Sequence, residues 1–388
     1  MGMFLLCTFL MIILYPLGID LYLVAVPRIA QTLQGSEAQI HTAFSIYLLG
    51  MAATVLPGGM LADRHGRRPV VLGGALIFVV ASLVAAEATG IAQFYLGRFW
   101  QGVGAGALYI MTFTVLRDVL SQARLAMALS LINGVICVIP VLAPVLGYLI
   151  LSHFEWRGIF VGMALVAAIS ALVNLRLLKE TRPARPSAGA SLLALLGMAP
   201  FMQRALLTSA SVTAILVYVS VSPLVLMTTF GLSPEQYTRL MMAMAGVSMS
   251  ASFLTPLLLR WLGKARVLAL SHLAYLLALL ALLCSSGPEG GLSWLLAGCA
   301  LVCIGFSCGF GVAMGEALDV CGDQVASASA LLCIMQIGLS GLFIWGMGHL
   351  GMPALWMLIL ALLLALLGYL VVKVLLPWRA VRRVRARG

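Results

Sequence analysis

The 388 residues are 63% hydrophobic and only 9% charged, with a mean hydropathy of +1.11 and a formal net charge of +11. Soluble globular proteins carry about 25% charged residues, so this inventory cannot make a water-facing surface. A cytosolic enzyme, a secreted disulfide scaffold and a nucleic-acid-binding domain are excluded. A spanning helix takes about 20 mostly apolar residues, and the length accommodates about a dozen.

Apolar runs fall at 3–27, 38–62, 70–88, 92–116, 125–150 and 156–178, then at 203–229, 237–260, 266–285, 292–316, 325–349 and 353–376. Twelve spans leave both termini on one side. With loops assigned alternately, that side holds 19 Lys and Arg, including the tail Arg379, Arg382, Arg383, Arg385 and Arg387. The other side holds three, Arg28, Arg157 and Arg239. A cytoplasmic excess of basic residues sets topology, so both termini are expected in the cytoplasm. The start Met1-Gly2-Met3-Phe4 has no basic n-region, and the apolar stretch behind it is too long for a cleaved signal.

The longest polar interval follows the sixth run and is rich in Pro, Ser and Gly, the composition of a linker. The expected organisation is a six-helix bundle over 1–182, a cytoplasmic linker over 183–202, a second bundle over 203–376 and a basic tail over 377–388. A faint repeat agrees. Gly66-Arg67 and Val70-Val71 have counterparts 197 residues on, Gly263-Lys264 and Val267-Leu268. The eight cysteines make no CxxC pair, and Cys299, Cys303 and Cys308 share one apolar run, so they read as reduced packing residues with no metal site. Glu316, Asp319 and Asp323, after the tenth run, read as a solvated acidic loop.

Two ionisable residues stand inside apolar runs, Asp20 in the first and Arg98 in the fourth. Charge embedded in a bilayer is costly and is a functional hypothesis by default. If the first span ends near Pro27, Asp20 lies about 10 Å below the outer surface; Arg98, six residues past Ala92, lies about 9 Å below it. An ion pair or a shared cavity is therefore geometrically open to them, as is a static strut. Desolvation favours a protonated carboxyl and a nearby guanidinium the ionised form, so a site that approaches and leaves Arg98 would load and release a proton.

The turn Gly59-Met60-Leu61-Ala62-Asp63-Arg64-His65-Gly66-Arg67-Arg68 matches the G-x-L-A-D-R-x-G-R-R loop, and the sequence resembles the major facilitator superfamily. Gly59 suits a close helix approach and Gly66 a tight turn with positive φ. The resemblance implies a cytoplasmic latch. Asp63 would meet the N-terminus of the eleventh helix, near Gln324 to Ser327, and an arginine among Arg64, Arg67 and Arg68 would pair with Asp118 in the next cytoplasmic loop. Such a latch favours the outward-facing state. Positive charge alone would serve topology, and a purely topogenic loop is the alternative to the latch.

Arg98-Phe99-Trp100-Gln101-Gly102-Val103-Gly104-Ala105 is similar to the family's R-x-x-Q-G-x-G-A motif. Asn133-Gly134 followed by Pro140, Pro144 and Gly147 resembles its antiporter motif, although Ala143 and Tyr148 replace glycines of the pattern. With Leu178-Lys179-Glu180-Thr181-Arg182-Pro183, these residues are similar to the twelve-span drug:proton antiporter branch, near the Bcr/CflA-type exporters. That resemblance implies an all-α inner-membrane protein of two six-helix bundles. It would act as a proton-coupled exporter of chloramphenicol-like drugs, with Asp20 and Arg98 handling protons. Some drug antiporters carry a further acid two turns earlier, where this chain has Ile12.

Polar and aromatic residues expected at a substrate cavity are Tyr22, Tyr47, Gln101, Tyr109, Asn133, Tyr218, Ser248 and Gln336. Each also suits plain packing or an interhelical hydrogen bond. The only Gly-Lys is followed by Ala265, so no ATP-binding P-loop is present. Five scattered histidines, with no HExxH or GxSxG, argue against an enzyme. The expected partners are a small drug molecule, protons and the bilayer, with no nucleic acid, nucleotide or cofactor, and the protein is expected to act as a monomer. The competing function is proton-coupled export or symport of a normal metabolite such as a sugar or an amino acid.

Overall fold

The computed structural model describes residues 2–182, 192–285, 291–321 and 325–375. Among them the fold is all helical, and ten stretches are long and apolar enough to cross a membrane. Helices dominate because a backbone in lipid must satisfy its own hydrogen bonds. The elements are α1 (Gly2–Ile12), α2 (Leu14–Asp20), α3 (Val26–Thr32), α4 (Glu37–His65), α5 (Arg67–Ala86), α6 (Ile91–Val119) and α7 (Gln122–Leu177), followed by α8 (Leu192–Leu196), α9 (Ala199–Pro223), α10 (Pro234–Cys284), α11 (Gly291–Asp319), α12 (Val325–His349) and α13 (Ala354–Tyr369). Two of them are broken internally. The backbone leaves helical geometry at Glu155 (φ 58, ψ −174) within α7 and at Gly263 (φ 78, ψ 164) within α10.

The first span differs from its expected form. It runs on to Thr32, through a 3-10 turn at Leu23–Ala25. Pro27 opens α3 and does not end the span, because proline lacks only an N–H that the first helical turn leaves unused anyway. Counting residues back from Pro27 therefore misjudges the depth of Asp20.

Contacts divide the chain into two compact units. The first is Met1–Ala188 with Ser222–Met242 and Gly341–Gly351; the second is Gly189–Val221, Ala243–Ser340 and Met352–Gly388.

The first unit is organised around α6, which packs against both α4 and α5. Side chains at Gly50, Gly102 and Gly106 would collide with the backbone oxygens of Phe99, Tyr47 and Met51. Lipid supplies no hydrophobic drive between helices, and small residues let the backbones touch instead. Gly59 does not serve this purpose, since a side chain there would meet nothing within 4 Å among the described residues. Beside this seam, Tyr22, Phe94, Trp156 and Phe160 form an aromatic cluster with centroids 5.4–6.2 Å apart.

In the second unit α11 lies on α10, where Ser271 donates to the Gly305 carbonyl at 2.7 Å. The His272 ring stacks on Tyr369 at 4.1 Å. Glu316 corrects the acidic-loop expectation: it sits on α11, its side chain is 17% exposed, and it pairs with Lys373. Asp323 lies outside the described residues, as do residues 183–191 of the expected linker and the tail from 376 onward.

Candidate functional site

Arg98 is fully buried, and its partners come from several helices. It donates to the Gly18 carbonyl at 2.8 Å and to the side-chain oxygen of Gln101. Its guanidinium lies between two rings, 4.4 Å from the Tyr22 centroid and 4.5 Å from that of Tyr47. Gln101 in turn donates to Ser82 Oγ at 2.8 Å and to Met163 Sδ at 3.3 Å. The Tyr47 hydroxyl donates to the Tyr15 carbonyl at 3.0 Å. One guanidinium thus ties α2, α4, α5, α6 and α7 together. A guanidinium away from water needs acceptors and ring faces for its N–H groups, because unpaired buried charge costs several kcal/mol; its Nε has no hydrogen-bond partner among the described residues.

Asp20 ends α2, two residues beyond the Gly18 carbonyl, and is 7% exposed. Among the described residues no ion pair or hydrogen bond joins it to Arg98. The two share a neighbourhood without contact, and Tyr22 lies within electrostatic range of both. Of the expected cavity residues, Tyr22, Tyr47 and Gln101 belong to this arginine network.

The others are placed as follows. Tyr109 sits edge-on to Tyr15 at 5.3 Å and to Phe113 at 5.0 Å. In the second unit Tyr218 is buried beside Cys303, and Ser248 shares a 2.6 Å hydrogen bond with Ser307. Gln336 is buried with its amide nitrogen unpartnered among the described residues. Asn133 and Gly134 lie outside the described side chains. Pro144 and Gly147 are buried, while Pro140 is half-buried. A side chain at Gly147 would strike the Leu21 carbonyl oxygen, next to Asp20. The antiporter-like residues therefore press α7 directly onto the Asp20 level.

A second cluster surrounds the turn between α4 and α5. Gly66 turns the chain with φ 102, a conformation glycine adopts without penalty. Arg67, 5% exposed, binds Asp118 at 2.9 Å and Asp63 at 2.7 Å. Asp118 is on the last turn of α6 and not in a loop. Asp63 spends its carboxylate on Arg67 and is 61% exposed. Arg68 donates to the Leu175 carbonyl at 2.6 Å, and the Arg64 carbonyl accepts from Arg182 at 2.9 Å.

Sequence reasoning gave Glu180 no role of its own. Its carboxylate accepts from the backbone N–H of Arg67 at 2.8 Å, Arg68 at 3.2 Å, Thr181 at 3.0 Å and Arg182 at 2.9 Å. It caps the N-terminus of α5 from 113 residues away, where orphan N–H groups and the helix dipole attract an anion. Partial burial opposes its charge, but the backbone donors outweigh burial and hold the carboxyl below the usual glutamate range. The available signal was an acid directly after an α7 that ends beside the basic turn.

The faint repeat has a structural counterpart. Gly263 turns with φ 78, ψ 164, close to the φ 102, ψ 163 of Gly66. Lys264 then pairs with Asp319 at the end of α11, at 3.1 Å, as Arg67 pairs with Asp118 at the end of α6.

The sequence matches the family model for the Major Facilitator Superfamily over residues 8–338. The chain belongs to the Major Facilitator Superfamily. It is similar to multidrug resistance protein MdtL of Klebsiella pneumoniae (strain 342), with 46% identity over 365 residues and 92% of each chain covered. It is also similar to MdtL of Escherichia coli O81 (strain ED1a), at 44% over 372 residues, covering 94% of this chain and 93% of that one. Two solved structures share the fold over nearly the whole chain. The D-xylose-proton symporter gives a TM-score of 0.74 at 15% identity, covering 96% and 97% of the two chains. The bacterial homolog of the human lysosomal transporter Spinster, inward-facing and occupied, gives 0.71 at 17%, covering 95% and 96%. As a member of this superfamily the protein is a transporter and not an enzyme, and it is a multi-pass inner-membrane protein.

Proposed function

We propose that the protein exports amphipathic drugs of the chloramphenicol class from the cytoplasm by alternating access, driven by the proton gradient. The likeness to proteins named for multidrug resistance supports drug export. Dividing α7 at Glu155 and α10 at Gly263 makes twelve spans of the ten apolar stretches. The count of 19 basic residues against three supports cytoplasmic termini. Two six-helix halves, 1–182 and 203–376, joined by the polar linker, then work as a monomer without nucleotide or cofactor.

The observation that carries proton coupling is Asp20, buried and unpaired among the described residues while Arg98 is committed to Gly18, Gln101 and two rings. A carboxyl so placed exchanges a proton as its surroundings change. Coupling requires that proton and drug each prefer a different facing state. Asp20 takes a proton from outside as drug leaves, and gives it up inside as drug loads. Around Arg67, Asp63 and Asp118 serve as the cytoplasmic latch.

The test is chloramphenicol uptake into everted vesicles under an imposed pH gradient. Asp20→Asn should abolish uphill uptake while leaving drug binding measurable. Uphill pumping at the wild-type rate would remove Asp20 from the mechanism. Expression in a pump-deficient host should raise chloramphenicol resistance; unchanged susceptibility across a drug panel would count against a drug exporter.

A further inference from the structure

The segment Ser222–Met242 comes late in the sequence yet belongs to the first unit. Its stretch Leu224–Thr229 packs on α3 (Val26–Thr32), the part of the first span beyond Asp20. One polar contact closes the segment on itself and another joins it to α7. The hydroxyls of Tyr237 and Ser222 share a 3.2 Å hydrogen bond in which either can donate, and the residues are 0% and 4% exposed. Thr238 Oγ1 reaches the Pro144 carbonyl at 3.5 Å. Pro144 is one turn from Gly147, which rests against the Leu21 carbonyl beside Asp20. Tyr237 itself lies within electrostatic range of Asp20 and Tyr22. Within the same segment Val225, Leu226 and Met241 are buried.

This is the composition of a dry plug. Two hydroxyls that satisfy each other remove the polar groups that would otherwise recruit water into an apolar gap. The segment lies against α3, the part of the first span that follows Asp20, and against α7 at Pro144, one turn from the residue that meets Leu21; with cytoplasmic termini, as proposed above, that end of the span is the outer one.

We infer that Tyr237, held by Ser222, is a positioning residue that seals the outer side of the Asp20 site, so that Asp20 exchanges protons with one side of the membrane at a time. The seal rests on the reading of Asp20 as proton carrier. No bond is made or broken at Tyr237; it excludes water and so prevents a proton from crossing without drug.

The test is proton entry into proteoliposomes of the full chain loaded with a pH-sensitive dye, with no drug present. Wild type should be tight. Tyr237→Ala should leak protons several-fold faster, Tyr237→Phe less so, and adding Asp20→Asn to Tyr237→Ala should abolish the leak. Loss of packing alone would give a leak indifferent to Asp20. Should Tyr237→Ala fold poorly, Ser222→Ala breaks the same hydroxyl pair by removing a single oxygen atom and should also leak. A tight Tyr237→Ala and a tight Ser222→Ala with wild-type drug uptake would overturn the seal, as would a leak that persists in the double variant. Uphill chloramphenicol uptake by Asp20→Asn alone would overturn the reading of Asp20, and the seal with it; a dead Asp20→Asn beside leak-tight 237 and 222 variants overturns only the seal.

Discussion

Arg98 reaches the carbonyl oxygen of Gly18 at 2.8 Å, across 80 residues of sequence and two residues short of the acid it shares a neighbourhood with. The arginine holds the backbone of the first span and leaves the Asp20 carboxylate unpaired. A direct ion pair would have neutralised both groups and frozen the site. Here the cation is committed to other partners while the acid has no ion pair among the described residues, the asymmetry the proposed proton exchange relies on.

Lysine should not replace Arg98. It keeps the charge but lacks the planar fork that stacks between Tyr22 and Tyr47 while donating to both Gly18 and Gln101. Desolvated cation–π contacts contribute about 2 kcal/mol. Arg98→Lys should therefore lower the thermal unfolding midpoint in detergent and cut uphill uptake. Wild-type stability in Arg98→Lys would show that the stack carries little.

Glu180→Gln should destabilise the α5 cap by about 1 kcal/mol at neutral pH, the usual size of a lost cap. The folded-state carboxyl is held below its ordinary range, so its stabilisation is present above the unfolded glutamate value of about 4.3 and is lost as pH falls through the folded one. Thermal melts of wild type and Glu180→Gln should converge as the pH is lowered from 7 through that window. A gap that stays constant with pH would contradict the cap.

The two homologous-looking ion pairs should differ in weight. The Arg67 side chain is 6% exposed and Asp118 10%, whereas Lys264 and Asp319 are both 64% exposed. Breaking a buried pair costs about 3–5 kcal/mol, an exposed one about 0–1. Arg67→Ala should unfold far more readily than Lys264→Ala in the same detergent, and equal melting points would refute the ranking.

Gly147→Ala should be damaging, since the added methyl meets the Leu21 carbonyl oxygen beside Asp20. Gly59→Ala, with open space at its Cα, should be silent. Uptake and expression level of the two variants measure this contrast.

Much of the molecule was legible in one dimension. Asp20 and Arg98 stand out because charge in an apolar run is expensive enough to be rare. The Gly66 turn and the basic loop follow from local rules of backbone sterics and headgroup charge. Other features were not legible, for identifiable reasons. Pro27 looks like a span end until the next helix is seen to begin on it. Glu316 looks solvated until Lys373, 57 residues on, is brought against it. Nothing local shows that the Gln101 amide meets Arg98, Ser82 and Met163.

What the chain alone determined is which residues lie in the membrane, which side carries the positive charge and which ionisable groups are out of place. Those are transfer energies, additive along the sequence and nearly independent of neighbours. Which groups satisfy each other was decided only by packing. The partner that caps α5 is 113 residues away, and the segment that packs on α3 in the first unit comes from beyond residue 221. A hydrogen bond depends on position to within a few tenths of an ångström, and no local pattern fixes that before the helices meet.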